Sequence, residues 1–321
     1  MASSEVIDKS ALRPEIHKPG VFPDPIILPP QMEHRQSIII LHGRGSFAAK
    51  FAPPLLATKA TGRGETLQEA FPNAKIIFPT ASRNRATIYK RSYTHQWFNN
   101  WYLEKHTERQ DLIPKELRRS VLYIHGLLKT EIEAVGAENA VLWGLSQGCA
   151  TTLAALLTWD GEPFAAAVGM CGWLPFANVM TDLVQIHGSN GVSSPEFDDD
   201  DYFALSREED DDPFTLGIPS LEKDLNSDSA IQAVTLLREE LDMNDKNGTV
   251  FRHIPIFLGH GTDDQRVNIN LGRESQKCME LLGAGVRMVE YEGLEHWYSK
   301  DMLRDIFEFL KEKLALQMEE K

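Results

Sequence analysis

A serine between two glycines is the first residue pattern in the sequence that can do chemistry. The segment Gly144-Leu145-Ser146-Gln147-Gly148 follows the apolar run 140–143 and precedes a helix-prone segment. In a sharp turn from strand to helix, small residues two positions either side of the serine let the elements approach, and the serine oxygen projects above the sheet edge. The following helix points backbone N–H groups at the reacting centre, and the Gln147 N–H is the first donor available to an oxyanion. The pattern predicts that Ser146 is a nucleophile for acyl groups.

A serine nucleophile needs a base, and the base needs an orienting carboxylate. Two later polar clusters contain these residue types: Asp263 and Asp264 follow a predicted strand, and His296 follows the next one. The chain order serine, acid, histidine is the order found in α/β-hydrolases. Because the carboxyl ends of parallel strands share one sheet edge, the three side chains are expected to meet there. The residues alone leave either aspartate open as the acid, whereas His42 and His260 are expected to satisfy backbone groups beside the site.

Short apolar runs alternate with helical patterns along most of the chain, and these elements must position the polar residues. The predicted strands cover residues 37–41, 74–78, 140–143, 164–170, 254–258 and 286–291. The predicted helices cover residues 115–135, 147–158, 268–282 and 299–316. Parallel neighbours need crossover connections, which the helices supply. The sequence therefore predicts an α/β-hydrolase fold, with a mostly parallel, doubly wound sheet and helices on both faces.

Two segments depart from this alternation. Residues 1–36 contain six prolines and are predicted to be an arm on the domain or a mobile tail, so that the hydrolase domain covers residues 37–321. Residues 176–249 form an acidic insertion near the site, within which residues 196–212 hold ten acidic residues and one arginine. This composition favours a solvated or disordered loop, and a calcium site is disfavoured because the glycine and glutamate of an EF-hand loop are missing. The helical pattern at 230–241 is predicted to pack as a cap over the site.

Composition excludes several classes of function. The formal net charge of −14 disfavours nucleic acid and anionic lipid as partners. No apolar run approaches the roughly 20 residues that span a bilayer, and the polar start has no signal core. We therefore expect no transmembrane segment and a cytoplasmic location. The three cysteines are not spaced for a metal or redox site and are expected to be buried, unreactive thiols.

Six motifs in order resemble the phospholipase/carboxylesterase family, which contains acyl-protein thioesterases. They are Leu41-His42-Gly43-x-Gly45, Gln96-Trp97-Phe98, Gly144-Leu145-Ser146-Gln147-Gly148, Cys171-Gly172-Trp173-Leu174-Pro175, the stretch from His260 to Val267 and the stretch from Tyr291 to His296. The resemblance covers about residues 37–175 and 250–316 and implies an α/β-hydrolase.

The resemblance also implies roles for individual residues. Ser146 is the implied nucleophile, His296 the base, and Asp264 the acid, because the family's acid stands three residues before the valine. The N–H groups of Arg44 and Gln147 are the implied oxyanion hole. The implied substrate-binding residues are Trp97, Phe98, Trp173 and Leu174, although aromatic residues at this density serve equally often as core packing. The implied substrate is an acyl ester or thioester on a small molecule, a lipid or a protein, with no metal and no cofactor.

Departures from the family pattern leave alternatives open. Family members have Leu-Gly-Asp after the His-Gly pair, where this chain has Arg44-Gly45-Ser46; the Arg44 guanidinium could favour an anionic substrate group or point to solvent. The expected function is a serine hydrolase acting on esters or thioesters through an acyl-enzyme. The alternatives are an acyltransferase or lactonising enzyme with the same triad, and a catalytically silent binding module.

Overall fold

A seven-stranded sheet forms the centre of the protein in the computed structural model, which describes residues 18–189, 229–243 and 248–315. The strands are β1 (Ile26–Leu28), β2 (Gln36–Leu41), β3 (Ala74–Phe78), β4 (Arg83–Ala86), β5 (Ser92–His95), β6 (Ala140–Leu145), β7 (Ala166–Met170), β8 (Ile256–Gly261) and β9 (Val286–Tyr291). The spatial order is β1-β3-β2-β6-β7-β8-β9, while β4 and β5 form a separate antiparallel hairpin. Only β1 runs antiparallel within the large sheet, so the predicted mostly parallel sheet is confirmed.

The sheet begins within residues 1–36, which the prolines predict to be an arm or a tail. Strand β1 pairs Ile26 with Phe78 and Leu28 with Ile76 at the sheet edge. Pro25 and Pro29 flank β1 directly. Proline cannot donate to a strand ladder and is confined to edges and strand ends, which is why the proline-rich sequence did not predict a strand.

Helices cover both faces of the sheet, as predicted. They are α1 (Ala48–Ala57), α2 (Leu67–Ala70), α3 (Pro114–Val135), α4 (Gln147–Leu157), α5 (Ala177–Ser189), α6 (Ser229–Glu240), α7 (Ile269–Leu281) and α8 (Lys300–Ala315). Alternate side chains of one strand enter opposite cores. Ile39 and Leu41 pack with α3 and α4, whereas Ile38 and Ile40 pack with α1 and α8. No helix in the described part of the chain is long and apolar enough to cross a membrane.

The two ends of the predicted insertion are helices that belong to the core. Helices α5 and α6 pack against each other, and α5 also packs on α7. The fully buried Arg238 of α6 donates to both carboxylate oxygens of Asp160, at 2.8 and 2.9 Å, and so attaches α6 to the chain after α4. The helix predicted at 230–241 is present, but it packs on this core, and its residues are not among those lining the cavity at Ser146. The acidic residues 196–212 lie outside the described residues.

Candidate active site

Ser146 occupies a strained turn between β6 and α4. Its backbone has φ 57° and ψ −120°, a left-handed conformation that is costly for a residue with a side chain. A Cβ on Gly148 would lie 2.5 Å from the carbonyl oxygen of Leu41, and one on Gly144 would overlap the Gly148 backbone. The Ser146 N–H donates to Met170 O at 2.8 Å. The two glycines therefore allow the close approach that places the serine at the carboxyl edge of the sheet.

The structure brings His296 and Asp264 to Ser146 from two neighbouring strands. Asp264 follows β8 and His296 follows β9, and these strands are parallel neighbours. His296 Nε2 lies 2.9 Å from Ser146 Oγ, and His296 Nδ1 lies 2.7 Å from Asp264 Oδ2. The three side chains thus form one continuous hydrogen-bonded chain.

Asp264 is held as a buried carboxylate. Its Oδ1 accepts hydrogen bonds from the N–H groups of Arg266 and Val267, each at 2.9 Å. Burial favours the neutral acid, but hydrogen bonds from His260, His296 and Val267 outweigh it and hold the pKa of Asp264 well below its ordinary value. Asp263, in contrast, is exposed and accepts from Thr262 Oγ1 at 3.1 Å. Of the two aspartates, only Asp264 is therefore placed to orient His296.

His42 fixes the loop that faces Ser146. The Ala81 N–H donates to His42 Nε2 at 3.0 Å, so Nδ1 carries the proton and donates to Gly43 O at 2.7 Å. Burial lowers the pKa of His42 to about 4 and keeps this tautomer neutral. Because a trans peptide is planar, the Arg44 N–H points opposite to the Gly43 carbonyl and away from His42. The loop adjoins the serine, since a Cβ on Gly43 would lie 3.2 Å from Ser146 Cβ.

The Gln147 side chain anchors a second loop beside the site. Its Oε1 accepts from the Trp97 N–H at 2.9 Å, and its Nε2 donates to Phe98 O at 2.7 Å and to Asn100 Oδ1 at 3.3 Å. The Gln147 N–H itself stands in the first turn of α4, where the helix supplies no acceptor. Trp97 Nε1 donates to His42 O at 2.7 Å, which joins the two loops.

A cavity of about 330 Å³ lies in front of the hydrogen-bonded chain. Its lining residues are Arg44, Ile88, Tyr89, Tyr102, Leu103, Glu104, Ser146, Gln147, Trp173, Gln265, Arg266, Val267 and His296. Of the four residues expected to bind substrate, Trp173 is in this lining. Trp97 and Phe98 are fully buried beneath it, and Leu174 faces a separate small cavity. The buried pair supports the wall, because the Phe98 and Trp173 rings meet edge to face with centroids 5.9 Å apart.

Comparison with known proteins assigns the chain to a family. The family model described as Phospholipase/Carboxylesterase matches residues 23–190 and 228–314. The chain belongs to the phospholipase/carboxylesterase family. Among its relatives are acyl-protein thioesterase 1 of Cryptococcus neoformans, 21% identical over 89% of this chain and 95% of that protein, and carboxylesterase SOBER1 of Arabidopsis thaliana, 22% identical over 87% and 91%. The crystal structure of Zea mays acyl-protein thioesterase 2 has the same fold, with a TM-score of 0.60 at 19% identity, over 90% of this chain and 98% of that one.

This member of the phospholipase/carboxylesterase family is a hydrolase. From the sequence, the aromatic residues around the Trp97-Phe98 pair are a possible acyl-pocket lining, and Tyr89 and Tyr102 among them line the cavity. Asn100, which supports the wall, was not singled out by sequence reasoning, and its proximity to the Trp97-Phe98 motif was the only available signal. The expectation that His42 and His260 satisfy backbone groups is confirmed, since His260 Nε2 lies 2.8 Å from Val267 O.

The three cysteines take no part in the hydrogen-bonded chain of Ser146, His296 and Asp264. All three are free and buried, as predicted. Burial raises the pKa of Cys171 to about 12 and that of Cys278 to about 11, so these thiols stay protonated at neutral pH. Within residues 18–189, 229–243 and 248–315, no cluster of three or more His, Cys, Asp or Glu side chains could hold a metal ion.

Proposed function

We propose that this hydrolase cleaves carboxylic esters or acyl-thioesters through an acyl-enzyme on Ser146. The observation that carries the proposal is the unbroken chain from Ser146 Oγ through His296 to Asp264, at 2.9 and 2.7 Å. Ser146 and His296 of this hydrogen-bonded chain line the cavity of about 330 Å³.

The geometry supports a two-step mechanism. His296 Nε2 takes the Ser146 proton as Oγ attacks the acyl carbonyl, and Asp264 holds the imidazole in the tautomer that can accept it. The N–H groups of Arg44 and Gln147 stabilise the oxyanion of the tetrahedral intermediate. His296 then returns the proton to the leaving alcohol or thiol, and an acyl-Ser146 ester remains. Water activated by His296 releases the acid and restores the serine, with no cofactor required.

The cavity supports an acyl group of moderate size. A volume of about 330 Å³ lies at the lower end of the roughly 300–1,000 Å³ of small-molecule sites. We assign the acyl contacts to Trp173, Tyr89, Tyr102, Leu103 and Val267, which line it. The names of the thioesterase and carboxylesterase relatives agree with this substrate class.

The test is hydrolysis of a chain-length series of p-nitrophenyl esters and acyl-thioesters. Ser146→Ala should lower kcat by roughly 10⁶-fold, because the histidine and aspartate have no nucleophile to activate. Intact mass after fluorophosphonate treatment should show one adduct on the wild type and none on Ser146→Ala. The exposed Ser92 of β5 supplies the control, since Ser92→Ala should still be labelled.

Each result has a defined meaning. Labelling or turnover that persists in Ser146→Ala would refute the assignment. Product analysis with an added alcohol separates hydrolysis from acyl transfer, because transfer would give a new ester instead of the free acid.

A further inference from the structure

The cavity in front of Ser146 carries positive charge in an acidic protein. Its lining, as far as the structure describes it, contains Arg44 and Arg266 against one carboxylate, Glu104, whereas the whole chain has a formal net charge of −14. Arg266 and Glu104 are exposed, but Arg44 is half-buried. Water screens exposed charges far more than buried ones. Arg44 is therefore the charge that a substrate in the cavity meets most strongly.

The guanidinium of Arg44 is held in place by its neighbours. Its Nη1 donates to Asn100 Oδ1 at 2.7 Å, and its central carbon lies 5.6 Å from the centroid of the Tyr89 ring. Asn100 is itself buried and accepts a second hydrogen bond from Gln147. A buried amide and an aromatic face thus orient the charge, which does not point freely into solvent.

Among the residues that the structure describes, no carboxylate oxygen lies within 4.0 Å of the Arg44 guanidinium nitrogens. Burial lowers the pKa of Arg44 and Tyr89 acts against it, so the guanidinium has lost water and its partners in the described part of the chain are an amide and a phenol. A guanidinium has five N–H donors, more than Asn100 and Tyr89 can accept. The remaining donors suit a planar anion, because Arg binds carboxylate and phosphate groups in bidentate geometry.

We infer that the Arg44 side chain is an anion subsite of the catalytic cavity, so that preferred substrates carry a carboxylate or phosphate near the scissile bond. The inference rests on the proposed serine hydrolase function and names its substrate class. The backbone N–H of the same residue is assigned to the oxyanion hole, which limits the anion to within a few bonds of the reacting carbonyl. The anion can belong to the acyl chain or to the leaving group, and the chemistry of recognition is the same.

The experiment compares kcat/KM within two matched substrate pairs. The acyl pair is p-nitrophenyl hemiglutarate against p-nitrophenyl valerate, in which a carboxylate replaces a methyl group. The leaving-group pair is the valeryl thioester of 3-mercaptopropionate against that of 1-propanethiol, in which a carboxylate again replaces a methyl group. In at least one pair the wild type should favour the anionic member by about tenfold or more, the range expected of a charge-assisted hydrogen bond. Arg44→Gln should bring that ratio close to one, and Arg44→Lys should retain part of it.

The ratio separates anion recognition from other effects of the substitution. A disturbed oxyanion hole would slow hydrolysis of both substrates in a pair by the same factor. Its effect therefore cancels in the ratio of their kcat/KM values. Arg85 is the matched control, because its guanidinium lies 4.6 Å from the centroid of the Tyr93 ring in the same hairpin but does not line the cavity. Arg85→Gln should keep the wild-type ratio.

Two contrary results are distinguishable. The anion subsite would be overturned if the wild type gave ratios near one in both pairs, or if Arg44→Gln left the ratio unchanged. Ser146-dependent turnover in the same experiment would still support the hydrolase. Absence of Ser146-dependent turnover with every substrate would overturn the proposed function, and the subsite with it.

Discussion

Replacing Asp264 by Asn tests the proposed role of the carboxylate with little change of shape. The two N–H groups of Arg266 and Val267 that bind Asp264 Oδ1 will retain an amide oxygen in the same place. The amide nitrogen then takes the position of Oδ2, 2.7 Å from His296 Nδ1. An NH₂ group can only donate there, so Nδ1 must lose its proton and Nε2 must carry it. Nε2 then faces Ser146 Oγ as a donor and can no longer accept the serine proton.

The expected loss is that of a histidine in the wrong tautomer. By analogy with triads in which the acid was replaced by its amide, Asp264→Asn should lower kcat by roughly 10⁴-fold, or about 5 kcal/mol of activation free energy. The assay is p-nitrophenyl ester hydrolysis, with urea unfolding to confirm that the variant is folded. Asp263→Asn is the matched control, since this neighbouring carboxylate is exposed and contacts Thr262. A folded Asp264→Asn enzyme with kcat within tenfold of the wild type would refute the tautomer argument.

Two further predictions concern folding. Gly148→Ala should destabilise the protein and abolish activity, because its Cβ would lie 2.5 Å from Leu41 O. Gly126→Ala, at an exposed position of α3 with open space around it, should raise the free energy of unfolding by about 0.5–1 kcal/mol. Equal effects of the two substitutions in urea unfolding would contradict this contrast. Burial lowers the pKa of His125 from 6.5 to about 4, so below pH 6.5 the unfolded chain takes up a proton that the folded protein refuses, and stability falls as the pH drops towards 4. Between pH 7 and 5 the free energy of unfolding should fall by about 2 kcal/mol because of His125. Urea unfolding of His125→Gln should show a correspondingly flatter dependence of that free energy on pH. A pH dependence equal to that of the wild type would contradict the prediction.

Local residue chemistry and hydrophobic periodicity were sufficient to predict most of the strands and the position of the site. The runs at 74–78 and 286–291 predicted β3 and β9 with their observed bounds. The mostly apolar run of β3 suits a strand covered on both faces, whereas β9, at the sheet edge, has exposed Arg287 and Glu290 among half-buried apolar residues. The glycines around Ser146 predicted the turn, since only small residues allow the strand and helix to approach so closely. The polar clusters after two predicted strands placed His296 and an aspartate at the same sheet edge as the serine.

Packing against residues distant in sequence determined the features that local patterns did not predict. Helix α1 contains Pro53 and Pro54, which disfavour a helix locally, yet the burial of Phe51 and Leu55 in the core offsets the lost hydrogen bonds. Other outcomes also depend on residues far apart in sequence, so local patterns could not predict them. The residues alone left Asp263 and Asp264 open and the family resemblance favoured Asp264, which meets His296 because the turn after β8 directs it inward. Trp97 and Phe98 lie beneath the cavity and not in it, since Gln147 holds their backbone. The contacts with Asn100 and the Tyr89 ring orient Arg44 along the cavity wall.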